Sequence, residues 1–165
     1  MNEFWRLFGL IGLTLVVAWL LSLFPLPADW PSWVAFLRPQ WTTLLLIFWI
    51  IHFPKCIGVI WSFVVGVIVD VMLGVSLGHH ALSFSIIGYM AVELEQRMQL
   101  FQLWQQTLSV GLLLTVERLL SLWILGASGQ PTPTISYWLA PIVGMLVWPW
   151  LRLLLLALCR RVGLL

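Results

Sequence analysis

The stretch Leu7–Phe24, LFGLIGLTLVVAWLLSLF, contains no charged residue and is long enough to cross the hydrocarbon core of a bilayer as a helix. Arg6 precedes it, as in a secretion signal, but the apolar run exceeds a usual signal core and no small-residue cleavage site follows. We therefore expect a retained first transmembrane helix. Pro25, Pro27 and Pro31 follow, and they end the helix because proline lacks the amide hydrogen that a helix interior requires.

The composition of the whole chain agrees with this first stretch. Of 165 residues, 62% are hydrophobic and 8% are charged, whereas a soluble domain carries roughly 25% charged residues. The net charge of +2 is small and dispersed, which argues against nucleic-acid binding. The sequence predicts an all-α membrane protein, a polytopic bundle of about six transmembrane helices in a single integral membrane domain (1–165), with lipid around it. The predicted spans are 7–24, 38–53, 56–75, 79–94, 104–125 and 137–158.

The strongly apolar part of the second span, 41–53, covers only about 20 Å at 1.5 Å per residue. This span is therefore short, thins the bilayer locally, or extends back through Arg38 and Pro39, as in the limits given above. A polar stretch follows the fourth span, and we interpret it as a solvated loop because it holds Glu93, Glu95 and several glutamines.

The distribution of lysine and arginine predicts the orientation, since these residues are enriched in cytoplasmic loops. With both ends in the cytoplasm, five of them fall on the inner side and one on the outer side: Arg6, Lys55, Arg97, Arg160 and Arg161 against Arg38. Six tryptophans fall near predicted interfaces, where indole rings are enriched: Trp5, Trp30, Trp33, Trp41, Trp104 and Trp138. We predict a multi-pass protein of the bacterial inner membrane.

A stripe of mostly small residues marks the third span. Its members recur at every fourth position and so follow one helix face: Gly58, Ser62, Gly66, Asp70, Gly74 and Gly78. Small residues at this spacing let two helix backbones approach closely. We interpret the stripe as a surface for helix packing or partner docking. Asp70 is the exception, because an intramembrane carboxylate is expected to face protein or water.

Three intramembrane charges, Asp70, Glu117 and Arg118, lie at similar predicted depth. At 1.5 Å per residue, Asp70 and Glu117 are about 21 Å and about 20 Å from the cytoplasmic ends of their spans. Our hypothesis is that Arg118 pairs with Asp70, Glu117 or both. The alternative, a proton relay, would need a continuous line of titratable groups, and the sequence does not indicate one.

No pattern predicts a catalytic residue, a metal site or a cofactor site. The adjacent His79 and His80 project in different directions from a helix, which makes them a poor metal pair. Ser83, Ser85, Ser109 and Ser121 are not accompanied by a general base with an orienting group, as nucleophilic catalysis requires. We also expect no Gly-x-Ser elbow of the kind that hydrolases use. We predict that the protein is not an enzyme.

Several short motifs together resemble one family over essentially the whole chain. They are Arg38-Pro39-x-Trp41, Phe48-Trp49-Ile50, Pro54-Lys55-x-x-Gly58, Gly66-x-x-x-Asp70-x-x-x-Gly74, Leu77-Gly78, Leu103-Trp104-Gln105-Gln106 and Val147-Trp148-Pro149-Trp150. In this order the motifs resemble the proteobacterial rod shape-determining MreD proteins. One departure is Glu117 followed by Arg118, where relatives often carry aspartate.

The resemblance implies a non-catalytic subunit of the cell-elongation complex that supports rod shape and lateral peptidoglycan synthesis. The partners it implies are MreC above all, then MreB, RodA and a class B penicillin-binding protein. It also implies a fold similar to the substrate-binding components of energy-coupling-factor transporters, and this similarity does not establish transport.

Two other classes of function stay open on the residues alone. A small-molecule-binding component of a transporter would be distinguished by a polar pocket whose ligand stabilises the protein. A membrane enzyme would be distinguished by serine, histidine or carboxylate substitutions that abolish activity without unfolding.

Overall fold

A computed structural model describes residues 2–23, 38–127, 129 and 135–164, and within these ranges all regular structure is helical. The helices are α1 (Asn2–Leu23), α2 (Trp41–His52), α3 (Val59–Leu73), α4 (His79–Leu100), α5 (Leu103–Ala127) and α6 (Leu139–Val162), with a 3₁₀ turn (Ile135–Trp138) before α6. Trp30 and Trp33 lie outside the described residues.

Within the ranges that the structure describes, three helices are long and apolar enough to cross a membrane: Phe4–Ser22 within α1, and the whole of α5 and α6. Two further apolar helices, α2 and α3, are shorter, with 12 and 15 residues. The predicted helical membrane protein is confirmed by this arrangement.

The short helix α2 lies at the centre of the bundle, in contact with α1, α4, α5 and α6. Every side chain from Thr42 to Ile51 is buried. A helix that is apolar on all faces belongs in an interior, and because protein surrounds α2, it need not match the bilayer thickness by itself. Arg38–Gln40 are not helical, so the proposed backward extension of this span is not found. Pro39 explains the difference, since the residue before a proline is disfavoured in helical conformation.

The helices α3 and α4 form a closely packed antiparallel pair. A methyl group on Gly66 would lie 2.6 Å from the Ala81 amide nitrogen, and one on Gly88 would lie 2.8 Å from the Ser62 Cβ. Glycine at these two positions is what allows the helix backbones to come so close.

The helix α4 continues beyond the predicted span, and the prediction of a loop from Glu93 onward is wrong. The helix runs to Leu100, and the Gln99 side chain donates to Glu95 Oε1 at 2.7 Å on its surface. The residues after Val92 are more polar, but glutamate, glutamine, arginine and methionine are good helix formers. The helix therefore continues where the apolar segment ends. Gln99 also donates to the Ile51 carbonyl at 2.9 Å, which ties this extension to the end of α2.

Candidate functional site: a polar cavity at one end of the bundle

A cavity of about 430 Å³ lies where α1, α3 and α5 end and where α2, α4 and α6 begin. The orientation predicted from sequence makes this the outer side of the membrane. Its polar lining comes from five segments: Ser22, Arg38, Gln40, Thr42, Thr43, His79, His80, Glu117, Arg118 and Ser121. Five of these residues are buried: Thr42, Thr43, His79, Glu117 and Ser121.

Asp70, beside this cavity, is completely buried and accepts four hydrogen bonds from the start of α4. One carboxylate oxygen, Oδ2, accepts from the backbone N–H of Gly78 at 2.8 Å and of Ala81 at 3.3 Å. The other, Oδ1, accepts from the His80 backbone N–H and from its ring Nδ1, both at 2.8 Å. The first amides of a helix have no partner within the helix. Asp70 therefore caps α4 from the neighbouring helix.

His80 is oriented by this carboxylate. Because an ionised carboxylate only accepts hydrogen bonds, Nδ1 of His80 carries the hydrogen, and the ring is held beside the cavity that it lines. No pattern in the sequence indicated the contact with Asp70, which joins two residues on different helices.

Glu117 projects from α5 and is 5% exposed. It accepts hydrogen bonds from the Gln40 side-chain amide and from the Ser121 hydroxyl, the latter at 3.1 Å. The Nε atom of Arg118 lies 4.0 Å from Glu117 Oε2, so Glu117 joins the start of α2 to the second half of α5. Sequence reasoning missed Gln40, and it considered Ser121 only as a nucleophile and not as a partner of Glu117.

Arg118 packs over the ring of Tyr137, with 4.3 Å from the guanidinium carbon to the ring centre. Among the described residues its ion pair is with Glu117, while Asp70 is bound by α4 as above. Of the pairings that we proposed for Arg118, the structure therefore contains the one with Glu117, while Asp70 and its partners on α4 form a separate neighbouring group.

The members of the small-residue stripe have different positions in the structure. Ser62, Gly66 and Asp70 are buried, and they face α4. Gly58 is the half-buried N-cap of α3. Gly74 and Gly78 end α3 and cap α4 with φ of 63° and 106°, a conformation that glycine adopts readily. The middle of the stripe is therefore occupied within the protein itself.

Two of the sequence motifs, Arg38-Pro39 and Trp148-Pro149-Trp150, lie in separate regions of the structure. Arg38 and Pro39 line the cavity, where an Arg38 Nη atom donates to the Ser22 carbonyl at 2.8 Å. Trp148 is buried within α6, the helix continues through Pro149, and Trp150 is 76% exposed.

The spacing Gly-x-Ser-x-Gly of hydrolase nucleophile elbows occurs at Gly74–Gly78, and our prediction of no serine nucleophile overlooked it. The motif has catalytic meaning on a sharp turn between a strand and a helix. Here it connects two helices, and Ser76 is exposed. Asp70 and His80, which flank Ser76 in the sequence, form a hydrogen-bonded pair. In the described part of the chain, however, no hydrogen bond joins the Ser76 hydroxyl to His80, as a catalytic triad would require.

A metal centre has no support in the described ranges, where no group of three histidine, cysteine, aspartate or glutamate side chains is placed to hold an ion.

The class defined by fold and site is a helical membrane protein with a polar cavity at one end of its bundle.

Comparison with known proteins identifies the family within this class. The sequence model of the rod shape-determining protein MreD matches residues 6–158. A relative with the name rod shape-determining protein MreD, from Haemophilus influenzae (strain ATCC 51907 / DSM 11121 / KW20 / Rd), is 32% identical over 152 residues, which are 90% of each chain. The chain therefore belongs to the MreD family of rod shape-determining membrane proteins. No solved structure matches it.

Proposed function

We propose that this protein is a non-catalytic subunit of the bacterial cell-elongation complex. It crosses the inner membrane six times with both ends in the cytoplasm, binds MreC, and through it works with MreB, RodA and a class B penicillin-binding protein in lateral peptidoglycan synthesis. The observation that carries the proposal is the relationship to the MreD family over nine-tenths of the chain.

The arrangement of the buried polar groups supports a structural role. The buried hydroxyls of Ser62 and Ser83 each donate to a backbone carbonyl four residues earlier, and the buried carboxylate of Asp70 caps a helix. These groups satisfy hydrogen bonds within and between helices.

Partner binding is expected on surfaces other than the middle of the stripe, because Ser62, Gly66 and Asp70 already pack on α4. Large apolar side chains are exposed elsewhere on the bundle, among them Ile60, Leu13 and Leu146 on three different helices, each more than 60% exposed.

Depletion in the rod-shaped host, followed by microscopy of cell width, tests the proposal. We expect depleted cells to become round and wild-type protein to restore rods. Cells that keep their shape but lose uptake of a nutrient would instead support the transporter component.

Two additions to this experiment separate the parts of the proposal. A photo-crosslinking residue placed in turn at Ile60, Leu13 and Leu146 should capture MreC from at least one position; restored rods with no MreC product from any position would reject direct binding. Ser76→Ala should restore rods, and failure of this variant at normal protein level would reject the non-catalytic role.

A further inference from the structure

The polar cavity holds buried groups whose hydrogen bonds the protein does not complete. In the part of the chain that the structure describes, Arg118 Nε and Gln40 Oε1 are buried without a hydrogen-bond partner. Glu117 is already bound by Gln40 and Ser121, and its distance of 4.0 Å from Arg118 Nε is too long for a hydrogen bond. Unpaired polar groups away from bulk water are costly, so the cavity offers both a donor and an acceptor to a bound molecule.

The guanidinium of Arg118, with its unpaired Nε, favours an anion as the ligand. The lining contains Arg38, Arg118 and one carboxylate, Glu117, while the oxygens of Asp70, which is not part of the lining, are occupied by four hydrogen-bond donors. Stacking on Tyr137 holds the plane of the Arg118 guanidinium. A planar guanidinium with free N–H groups matches the oxygens of a carboxylate or phosphate.

We propose that this cavity binds a molecule in which a phosphate or carboxylate is accompanied by a hydroxyl or amide donor. The anion would lie against Arg118, and the donor would bond to Gln40 Oε1. The volume of about 430 Å³ is within the usual range of roughly 300–1,000 Å³ for small-molecule sites. Trp19, Trp41 and Phe84 provide apolar walls for the rest of the molecule.

Two sources share this chemistry: the headgroup of an anionic phospholipid and a free hydroxylated anion. The inference goes beyond the proposed function, since neither rod shape nor partner binding requires such a ligand.

Thermal unfolding of the purified, delipidated full chain in a neutral detergent tests the site with three probes. They are dioctanoyl phosphatidylglycerol, glycerol 1-phosphate and, as a control, dioctanoyl phosphatidylcholine. We expect phosphatidylglycerol to raise the unfolding temperature more than phosphatidylcholine does if a lipid is the source, and glycerol 1-phosphate to do so if the ligand is soluble. Either result supports the site, and no effect of either anion beyond the control overturns it.

Matched variants locate the effect. Arg118→Gln should weaken Kd for the active probe about tenfold or more, because hydrogen bonds to a charged group are lost. Arg97→Gln, an exposed arginine on α4 about 27 Å along the helix from His79, should keep the wild-type Kd. An Arg118→Gln protein that binds as tightly as wild type overturns the assignment. If that variant does not fold, Gln40→Leu provides the same test: a weakened Kd supports the site and an unchanged Kd rejects it.

Discussion

At the scale of single residues, Asp70 shows how a helical bundle holds a fully buried carboxylate with donors from a neighbouring helix. Its oxygens bind three backbone N–H groups and one imidazole at the start of α4, a helix end where aligned peptide dipoles favour negative charge. The capping interaction usually comes from a residue of the same helix, whereas here it comes from α3. Asp70 therefore fixes both the start of α4 and its position against α3.

Removal of this cap should destabilise the protein. We expect Asp70→Ala to lower the free energy of unfolding by about 1–3 kcal/mol, because several buried donors lose their acceptor. Asp70→Asn should lose less, since one side-chain oxygen remains to accept. Unfolding of the purified variants in detergent measures both values. Glu93→Ala, which removes an exposed carboxylate from the same helix pair, should change stability by less than about 0.5 kcal/mol.

A charge exchange separates this role from a direct ion pair. The double variant Asp70→Arg with Arg118→Asp should be no more stable than the worse single variant, because Asp70 is bonded to α4 and Arg118 lies beside Glu117. Clear rescue in the double variant would contradict the assignment of Asp70 as a helix cap.

At the scale of helices, the close approach of α3 and α4 depends on glycine. The nearest atoms to a methyl group on Gly66 belong to the backbone at His80 and Ala81, which cannot rotate away as a flexible side chain does. The two helices would have to separate, and the bonds from Asp70 to α4 would lengthen with them.

A pair of alanine substitutions tests this contact. Gly66→Ala should lower the free energy of unfolding by about 1–3 kcal/mol, the usual cost of overpacking. Gly12→Ala on α1 is the matched control, since no atom lies within 4 Å of the added methyl group; it should be neutral or slightly stabilising, because alanine is the better helix former. Equal effects of the two substitutions would show that helix propensity, rather than close packing, governs Gly66.

At the scale of the whole molecule, the cavity results from an alternating bundle in which α1, α3 and α5 end on the side where α2, α4 and α6 begin. The excess of basic residues at the opposite side predicts that the cavity faces outward. Its groups come from all six helices or the segments beside them, so no single element contains the site.

Cysteine labelling in intact cells tests this orientation. In a background with Cys56→Ser and Cys159→Ala, Ser76→Cys should react with a membrane-impermeant maleimide added from outside. Lys55→Cys should react only after the membrane is permeabilised. Both positions are exposed in the structure, so the reverse pattern would mean that the orientation is inverted and that the cavity faces the cytoplasm.

The sequence by itself determined that this is a helical membrane protein of the MreD family. Long apolar runs and the need to satisfy backbone hydrogen bonds within each segment are local properties that composition and spacing express directly. Local pattern was also sufficient to indicate that Gly66 and Asp70 share a helix face. It failed at the limits of α2 and α4, where a single proline and a change from apolar to polar helix formers decided the boundaries.

Only the tertiary structure decided which groups meet between helices. The partners of Asp70, the bonds from Gln40 and Ser121 to Glu117, and the stacking of Arg118 on Tyr137 depend on the rotation and depth of each helix relative to its neighbours. Helical periodicity places residues on a face of their own helix but not opposite a particular residue of another. For the same physical reason, the central position of the short α2 and the cavity beside it became visible only once the six helices were packed together.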